Sequence, residues 1–173
     1  MPSSTAKTVI GFVRSWVIRR IPFTKKSSAI EEIYNYHEVA GLYPTSGQPS
    51  NNELKQLCSA GYDVVINLAP TSSLENSVID EAEILAAHGS KYVHLPVDFK
   101  NPTDEDFTQF VAVLREHKNS KVWVHCAANM RVSAFNYRYR VDVLGEDEAN
   151  ARQDLHEIWE PFGVWKKFIE RAV

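Results

Sequence analysis

Cysteine is scarce in this chain: Cys58 and Cys126 are the only two among 173 residues. They form no close pair and no metal-ligand spacing, which argues against a disulfide framework or a zinc site. A reducing, cytoplasmic setting is the expectation, with no metal and no cofactor implied. Long apolar runs are absent as well. No segment stays apolar over the roughly 20 residues that a membrane span requires, and Arg14 interrupts the only stretch resembling a signal-peptide core. Nor is there a basic excess, since the formal net charge of -3 argues against a general nucleic-acid binder. Acidic residues are missing from the first thirty positions, which instead carry Lys7, Arg14, Arg19, Arg20, Lys25 and Lys26.

Residues 1–29 are therefore read as a basic arm or helix, and residues 30–173 as one α/β domain of ordinary size. Val9, Val13, Trp16 and Val17 share one face of a helix in the first segment. Three readings follow: weak contact with an anionic membrane surface, an organelle transit peptide, or a helix docked on the domain. The docked helix or a loose arm is preferred.

What is there centres on Lys121 to Phe135. Val122-Trp123-Val124 is a β-branched and aromatic run of the kind that forms a buried strand. From Val132 onward, Ala134, Phe135, Tyr139, Val143 and Leu144 recur at helical spacing. Cys126 to Arg131 thus lead from a strand into a helix N-terminus. The first N–H groups of a helix lack intrahelical acceptors, so an anion is stabilised there. Surroundings of that kind, with an arginine added, favour a thiolate over a thiol. Arg131 supplies a planar fork able to hold two phosphate oxygens.

At these residues the chain resembles the cysteine-dependent protein tyrosine and dual-specificity phosphatases, and especially the small bacterial dual-specificity-like branch. The family signature is His-Cys, five residues, Arg, then Ser or Thr, with Gly usual three places after the Cys. His125-Cys126 matches it, but four residues separate Cys126 from Arg131. With the family's loop length, Val132 takes the arginine's place and Ser133 the hydroxyl position. With a loop one residue shorter, Arg131 does the family's work and Ser133 sits one place late. The shorter loop is preferred, because a phosphate pocket without its guanidinium loses its main cation. Asn129 stands where the family has Gly, and Asn tolerates left-handed backbone. Ser46-Gly47-Gln48-Pro49 and Gly61-Tyr62-Asp63-Val64-Val65-Ile66-Asn67-Leu68 also look like these bacterial proteins. His125 itself is read as a satisfied structural histidine.

Upstream, Glu31–Tyr36 reads as helical and Val39–Tyr43 as a strand, followed by turn-rich Pro44–Pro49. Asn51 or Asn52 is expected to cap a helix that buries Leu54, Leu57 and Cys58 and stops at Gly61. Val64–Leu68 reads as a buried strand, Val78–His88 as a helix ending at Gly89, and Tyr92–Leu95 as a strand. Thr103 and Asp106 form a capping pair for a helix bearing Phe107, Phe110, Val111 and Leu114. After the signature helix, Glu146–Trp159 and Pro161–Ala172 read as helices, with Leu155, Ile158, Trp159, Phe162, Trp165, Phe168 and Ile169 as core or docking residues. The expected fold is a mainly parallel central sheet flanked by helices on both faces, with the site at the strand ends.

The resemblance implies a phosphate monoester hydrolase working through a phosphocysteine. Cys126 would be the nucleophile and Arg131 the phosphate clamp. Asp98, in a Pro-bounded loop directly after a strand, would be the general acid. Ala127, Ala128, Asn129, Met130, Arg131 and Ser133 would surround the phosphate, with the Ser133 hydroxyl assisting the departing thiolate. His37, His88, His94, His117 and His156 show no ligand pattern. The substrate would be a phosphorylated protein or a small phosphate ester. A rhodanese-like sulfurtransferase, whose loop length fits, and a catalytically silent phosphate-binding module are the alternatives.

Overall fold

The computed structural model describes residues 3–18, 30–39, 41–71 and 80–171. Four parallel strands form its sheet: β1 (Thr45–Ser46), β2 (Val64–Asn67), β3 (Lys91–His94) and β4 (Val122–His125), in the order β1-β4-β2-β3. The helices are α1 (Ser4–Ile18), α2 (Asn51–Ser59), α3 (Glu81–Ala87), α4 (Asp104–Glu116), α5 (Met130–Arg138), α6 (Glu148–Ile158) and α7 (Val164–Ile169). A 3₁₀ turn covers Ile30–Glu32, and a π-helical segment, Tyr139–Val143, extends α5.

The sheet separates two cores, as alternation of side chains along a strand requires. On one face Val64, Ile66, Val122 and Val124 pack with residues of α4, α5, α6 and α7. On the other, Val65 and Trp123 pack with Ile33, Leu54, Leu57 and Leu85. Both faces are thus covered, as expected for a parallel sheet. The larger core is aromatic: Phe135 stacks on Phe168 at 4.9 Å between centroids and meets Phe110 edge-on at 5.5 Å. Contacts of this type add about 0.5–1.5 kcal/mol each beyond the area they bury.

Local signals explain most boundaries. Thr103 and Asp106 exchange hydrogen bonds as a full capping box at the start of α4. Gly61 and Gly89, which end the α2 and α3 regions, have φ of +81° and +83°, where a Cβ is strained. The cap of α2 is Ser50, paired with Glu53, one residue before the expected Asn51.

Other expectations are corrected. No described residue of Val39–Tyr43 lies in a strand; the edge strand is Thr45–Ser46, within the Pro- and Gly-rich stretch. Of Glu31–Tyr36 only a 3₁₀ turn forms. The last helix begins at Val164 after Gly163, not at Pro161, and Phe162 is 59% exposed rather than core. The start of the Val78–His88 helix lies outside the described residues, and α3 is seen from Glu81.

Helix α1 lies against α6. Thr8 Oγ1 donates to Ile158 O, Tyr34 Oη donates to Thr8 O, and Glu160 N donates to Thr5 Oγ1 at 2.8 Å. It docks through Thr5, Thr8 and Phe12, while Val9, Ile10 and Val13 face outward at 48–63% exposure. The side chains of Trp16 and Val17 lie outside the described residues. No described helix is long and apolar enough to cross a membrane.

Candidate active site

Parallel pairing aligns the carboxyl ends of all four strands. Ser46, His125, Asn67 and His94 form one row across the sheet, and the next residue on β4 is Cys126. The site lies beyond this edge, where open α/β sheets gather their functional loops.

Cys126 is fully buried at the foot of the turn into α5. Its N–H donates to Ser46 O at 3.3 Å, tying the loop's start to β1. The next two carbonyls are turned outward: Ala127 O accepts from Gln48 N at 3.2 Å and Ala128 O from Asn35 Nδ2 at 2.9 Å. A trans peptide points its N–H opposite to its C=O, so the Ala128 N–H faces away from Gln48.

Asn129 closes the turn in the left-handed region, φ 63° and ψ 0°, as the sequence suggests for the residue in the glycine's place. Its side chain secures the strained backbone, with Nδ2 donating to Asn35 O at 2.9 Å and to Thr45 Oγ1 at 3.0 Å. Met130 then opens α5. Three residues thus suffice to pass from Cys126 to a helix whose first turn holds Arg131.

Arg131 is 3% exposed and reaches across to the segment after β3. Its Nε donates to Val97 O at 2.9 Å, and its Cζ lies 5.1 Å over the ring of Phe99. Val97 and Phe99 flank Asp98. The exposed Asp98 carboxylate accepts from Lys100 N at 2.9 Å, and its own carbonyl accepts from Asn101 N, so the loop is internally braced. Phe99 is held in turn by Trp159 and Trp165, and its carbonyl accepts from Trp165 Nε1 at 2.8 Å.

Ser133 lies in α5. Its hydroxyl donates to Met130 O at 3.0 Å and accepts from Trp159 Nε1 at 3.1 Å, linking α5 to the segment after α6. A contact with Cys126 is not among its described bonds.

His125 departs from a satisfied structural histidine. Its Nε2 lies 3.3 Å from Glu81 Oε2, both side chains being buried, and neither ring nitrogen has a hydrogen-bond partner among the described residues. Glu81 also receives Gln48 Nε2 and, at 3.1 Å, Asn67 Nδ2. Burial pushes the Glu81 carboxyl up, but the His125 imidazole and the Gln48 and Tyr92 side chains outweigh it, and the net direction is below the usual carboxylate value. Tyr92 is raised by burial and by that carboxylate. Glu81 is the site neighbour that the sequence does not reveal: as the first residue of a helix it reads as an ordinary dipole-complementing charge.

Away from this edge, the ligand atoms of His37, Asp154 and Glu157 lie within 4.8 Å of one another. Arg140 Nη1 pairs with Asp154, so that carboxylate is already engaged in an ion pair.

The family model described as DSP-PTPase phosphatase fused to NAD+ kinase matches residues 20–161. No curated protein matches the sequence. Among solved structures, a candidate phosphatase (DUF442) from Shewanella putrefaciens CN-32 is 34% identical, with a TM-score of 0.71 over 81% of this chain and 91% of that one. The core catalytic domain of the PP-IP phosphatase SIW14 from S. cerevisiae, in complex with citrate, is 14% identical, with a TM-score of 0.65 over 82% and 86% of the two chains. P. aeruginosa TpbA in complex with pTyr is 15% identical, with a TM-score of 0.62 over 88% and 92%. These last two show the shared fold. The family match sets aside the rhodanese-like alternative. With a cysteine at the strand-to-helix turn, an arginine in the first helical turn and a matched span covering most of its length, this chain belongs to the DSP-PTPase phosphatase family of cysteine-dependent phosphatases.

Proposed function

We propose that this site hydrolyses phosphate monoesters with Cys126 as nucleophile, Arg131 as phosphate clamp and Asp98 as general acid. The Cys126 thiolate attacks phosphorus, a P–S bond forms, and the ester P–O bond breaks. Asp98 in its acid form gives its proton to the leaving oxygen. Water then attacks the phosphocysteine, Asp98 takes a proton from it, and P–S cleavage returns the thiolate and inorganic phosphate. Charge on the equatorial oxygens is held by the loop N–H groups of Ala127, Ala128, Asn129 and Met130 and by the Nη side of Arg131. One observation carries the reading: Arg131 touches both neighbours of Asp98, so clamp and acid share one support.

The turn adds no cation beyond Arg131, since Ala127, Ala128, Asn129 and Met130 are neutral. That supports a singly phosphorylated protein residue or a small ester over a highly charged inositol phosphate. Quenching the reaction with an activated aryl phosphate and weighing the intact protein tests the mechanism. A phosphoryl adduct on the wild type that is absent from Cys126→Ser is expected. Turnover without any Cys126 adduct or Cys126 dependence contradicts it.

A second reading concerns α1, and the outward position of Val9, Ile10 and Val13 favours it. Exposed Lys7 and Arg14 accompany this apolar stripe, in a region without acidic residues. Such a face suits weak association with anionic lipid. Co-sedimentation with phosphatidylserine vesicles, reduced by Val13→Glu and absent with neutral phosphatidylcholine, is expected. Equal recovery with both vesicle types contradicts it.

A further inference from the structure

Apart from glycines, only Asn35 and Asn129 among the described residues hold left-handed backbone, at φ 55° and 63°. Residues with a Cβ seldom adopt it. The two asparagines stand 94 residues apart and clasp one another. Asn35 Nδ2 donates to Ala128 O at 2.9 Å, and Asn129 Nδ2 donates to Asn35 O at 2.9 Å. Ala128 O and the N–H of Asn129 belong to one trans peptide. A carbonyl drawn toward Asn35 therefore turns that N–H away from Asn35.

The turn that bears Asn35 is itself held from two sides. Tyr34 O accepts from Gly47 N at 2.7 Å, and Gly47 belongs to the segment that pairs with Ala128. The Tyr34 ring passes between this segment and α1. A Cβ on Gly11 would stand 2.8 Å from Tyr34 Cε2, and one on Gly47 would stand 2.5 Å from Tyr34 Cδ1, both closer than side chains pack. Two glycines thus make room for one ring. On the α1 side, the Tyr34 hydroxyl donates to Thr8 O. The second N–H of the Asn35 amide points to Thr8 Oγ1 at 3.5 Å, and Thr8 is buried. One side-chain amide therefore joins α1 to the turn after Cys126.

We propose that Asn35 is a positioning residue of the phosphate loop, holding the Ala128–Asn129 peptide with its N–H toward the phosphate, and that docked α1 keeps Asn35 in place through Tyr34 and Thr8. This rests on the phosphatase reading above. Donors already aimed at the place where charge develops need no reorganisation during reaction. Without the Asn35 amide, the Ala128–Asn129 peptide loses the bond that fixes its rotation. Its N–H then spends part of its time turned away from the anion. Helix α1 is, on this account, part of the working site.

The test uses the full chain with Asn35→Gly, Tyr34→Phe and the double variant. Glycine adopts the same φ freely, so Asn35→Gly removes the amide without straining the turn. The dissociation constant for inorganic phosphate is measured by calorimetry, beside kcat and KM for an activated aryl phosphate. Asn35→Gly is expected to raise the constant and to lower kcat/KM by about tenfold each, short of the roughly 10²–10³-fold cost of deleting a donor outright. Tyr34→Phe, which loses one hydrogen bond, is expected to raise the constant by about threefold. The double variant is expected to match Asn35→Gly alone, because both act through one amide. A substitution that merely destabilises the fold lowers the number of titrated sites and kcat, but leaves the constant unmoved. That result in Asn35→Gly overturns the proposal, and an unmoved Tyr34→Phe or full additivity overturns the part played by α1. If Asn35→Gly does not fold, Asn35→Asp decides, since its carboxylate cannot donate to a carbonyl; an unmoved constant there removes the link. A wild type that binds phosphate yet hydrolyses no ester sinks the phosphatase reading and leaves the binding constants to decide this one. A wild type that binds no phosphate overturns both.

Discussion

The guanidinium carbon of Arg131 lies 5.1 Å over the ring of Phe99, the residue after Asp98, while its Nε donates to the carbonyl of Val97, the residue before it. An arginine from the first turn of α5 thereby brackets the candidate general acid. Lysine has neither the planar fork nor the stacking face. Arg131→Lys is therefore expected to lower kcat/KM by about 10²–10³-fold, the range for losing a transition-state donor. Phe99→Leu removes the ring contact with Arg131, worth about 0.5–1 kcal/mol, along with the ring's packing on Trp159 and Trp165, and should cost a few fold. Steady-state kinetics on both variants check the order; a larger loss in Phe99→Leu would contradict it.

Asp98→Asn keeps the loop's shape but cannot give a proton. The loss is expected to depend on the leaving group, reaching about 10²–10⁴-fold for a basic one such as phenol and shrinking for an activated nitrophenol. Equal losses on both esters would remove Asp98 from proton transfer.

Asn129→Ala and Asn129→Gly separate backbone from side chain. Both lose the bonds to Asn35 O and Thr45 Oγ1, but only alanine must be forced to φ near 63°. Alanine should be the less stable by about 1–2 kcal/mol, the cost of left-handed backbone for a residue with Cβ. Chemical denaturation of the two variants measures the difference.

Much of this arrangement is legible along the chain, because some signals are local. The Val64 and Val122 strands declare themselves by β-branched runs, α4 by its Thr103–Asp106 cap, and the turn by His125-Cys126 followed by Arg131. What is not legible depends on partners distant in sequence. Thr45–Ser46 is a strand only because β4 supplies its bonds, such as Val124 N to Pro44 O. Ser133 matches a signature hydroxyl by spacing, yet Trp159 draws it into packing. Glu81 is a first-turn charge until the fold buries it against His125.

That burial has a consequence for acid stability. The Glu81 carboxyl is shifted down in the folded chain, so its contribution is fully present above the unfolded carboxyl value of about 4.3 and is lost as pH falls through the lower folded value. The stability gap between wild type and Glu81→Gln should be constant near neutral pH and narrow in acid. Urea unfolding across that range reads it; a gap that widens in acid has the wrong sign.

The measurement that bears most directly on the whole account is hydrolysis of an activated aryl phosphate by the wild type beside Cys126→Ser, from mildly acidic to neutral pH. Turnover that disappears with the sulfur is the predicted result, and it would make the four-residue spacing between Cys126 and Arg131 a working phosphate loop. Turnover that persists in Cys126→Ser, or a wild type that binds phosphate or vanadate tightly and releases no product, would contradict the account, the second leaving a silent phosphate-binding domain.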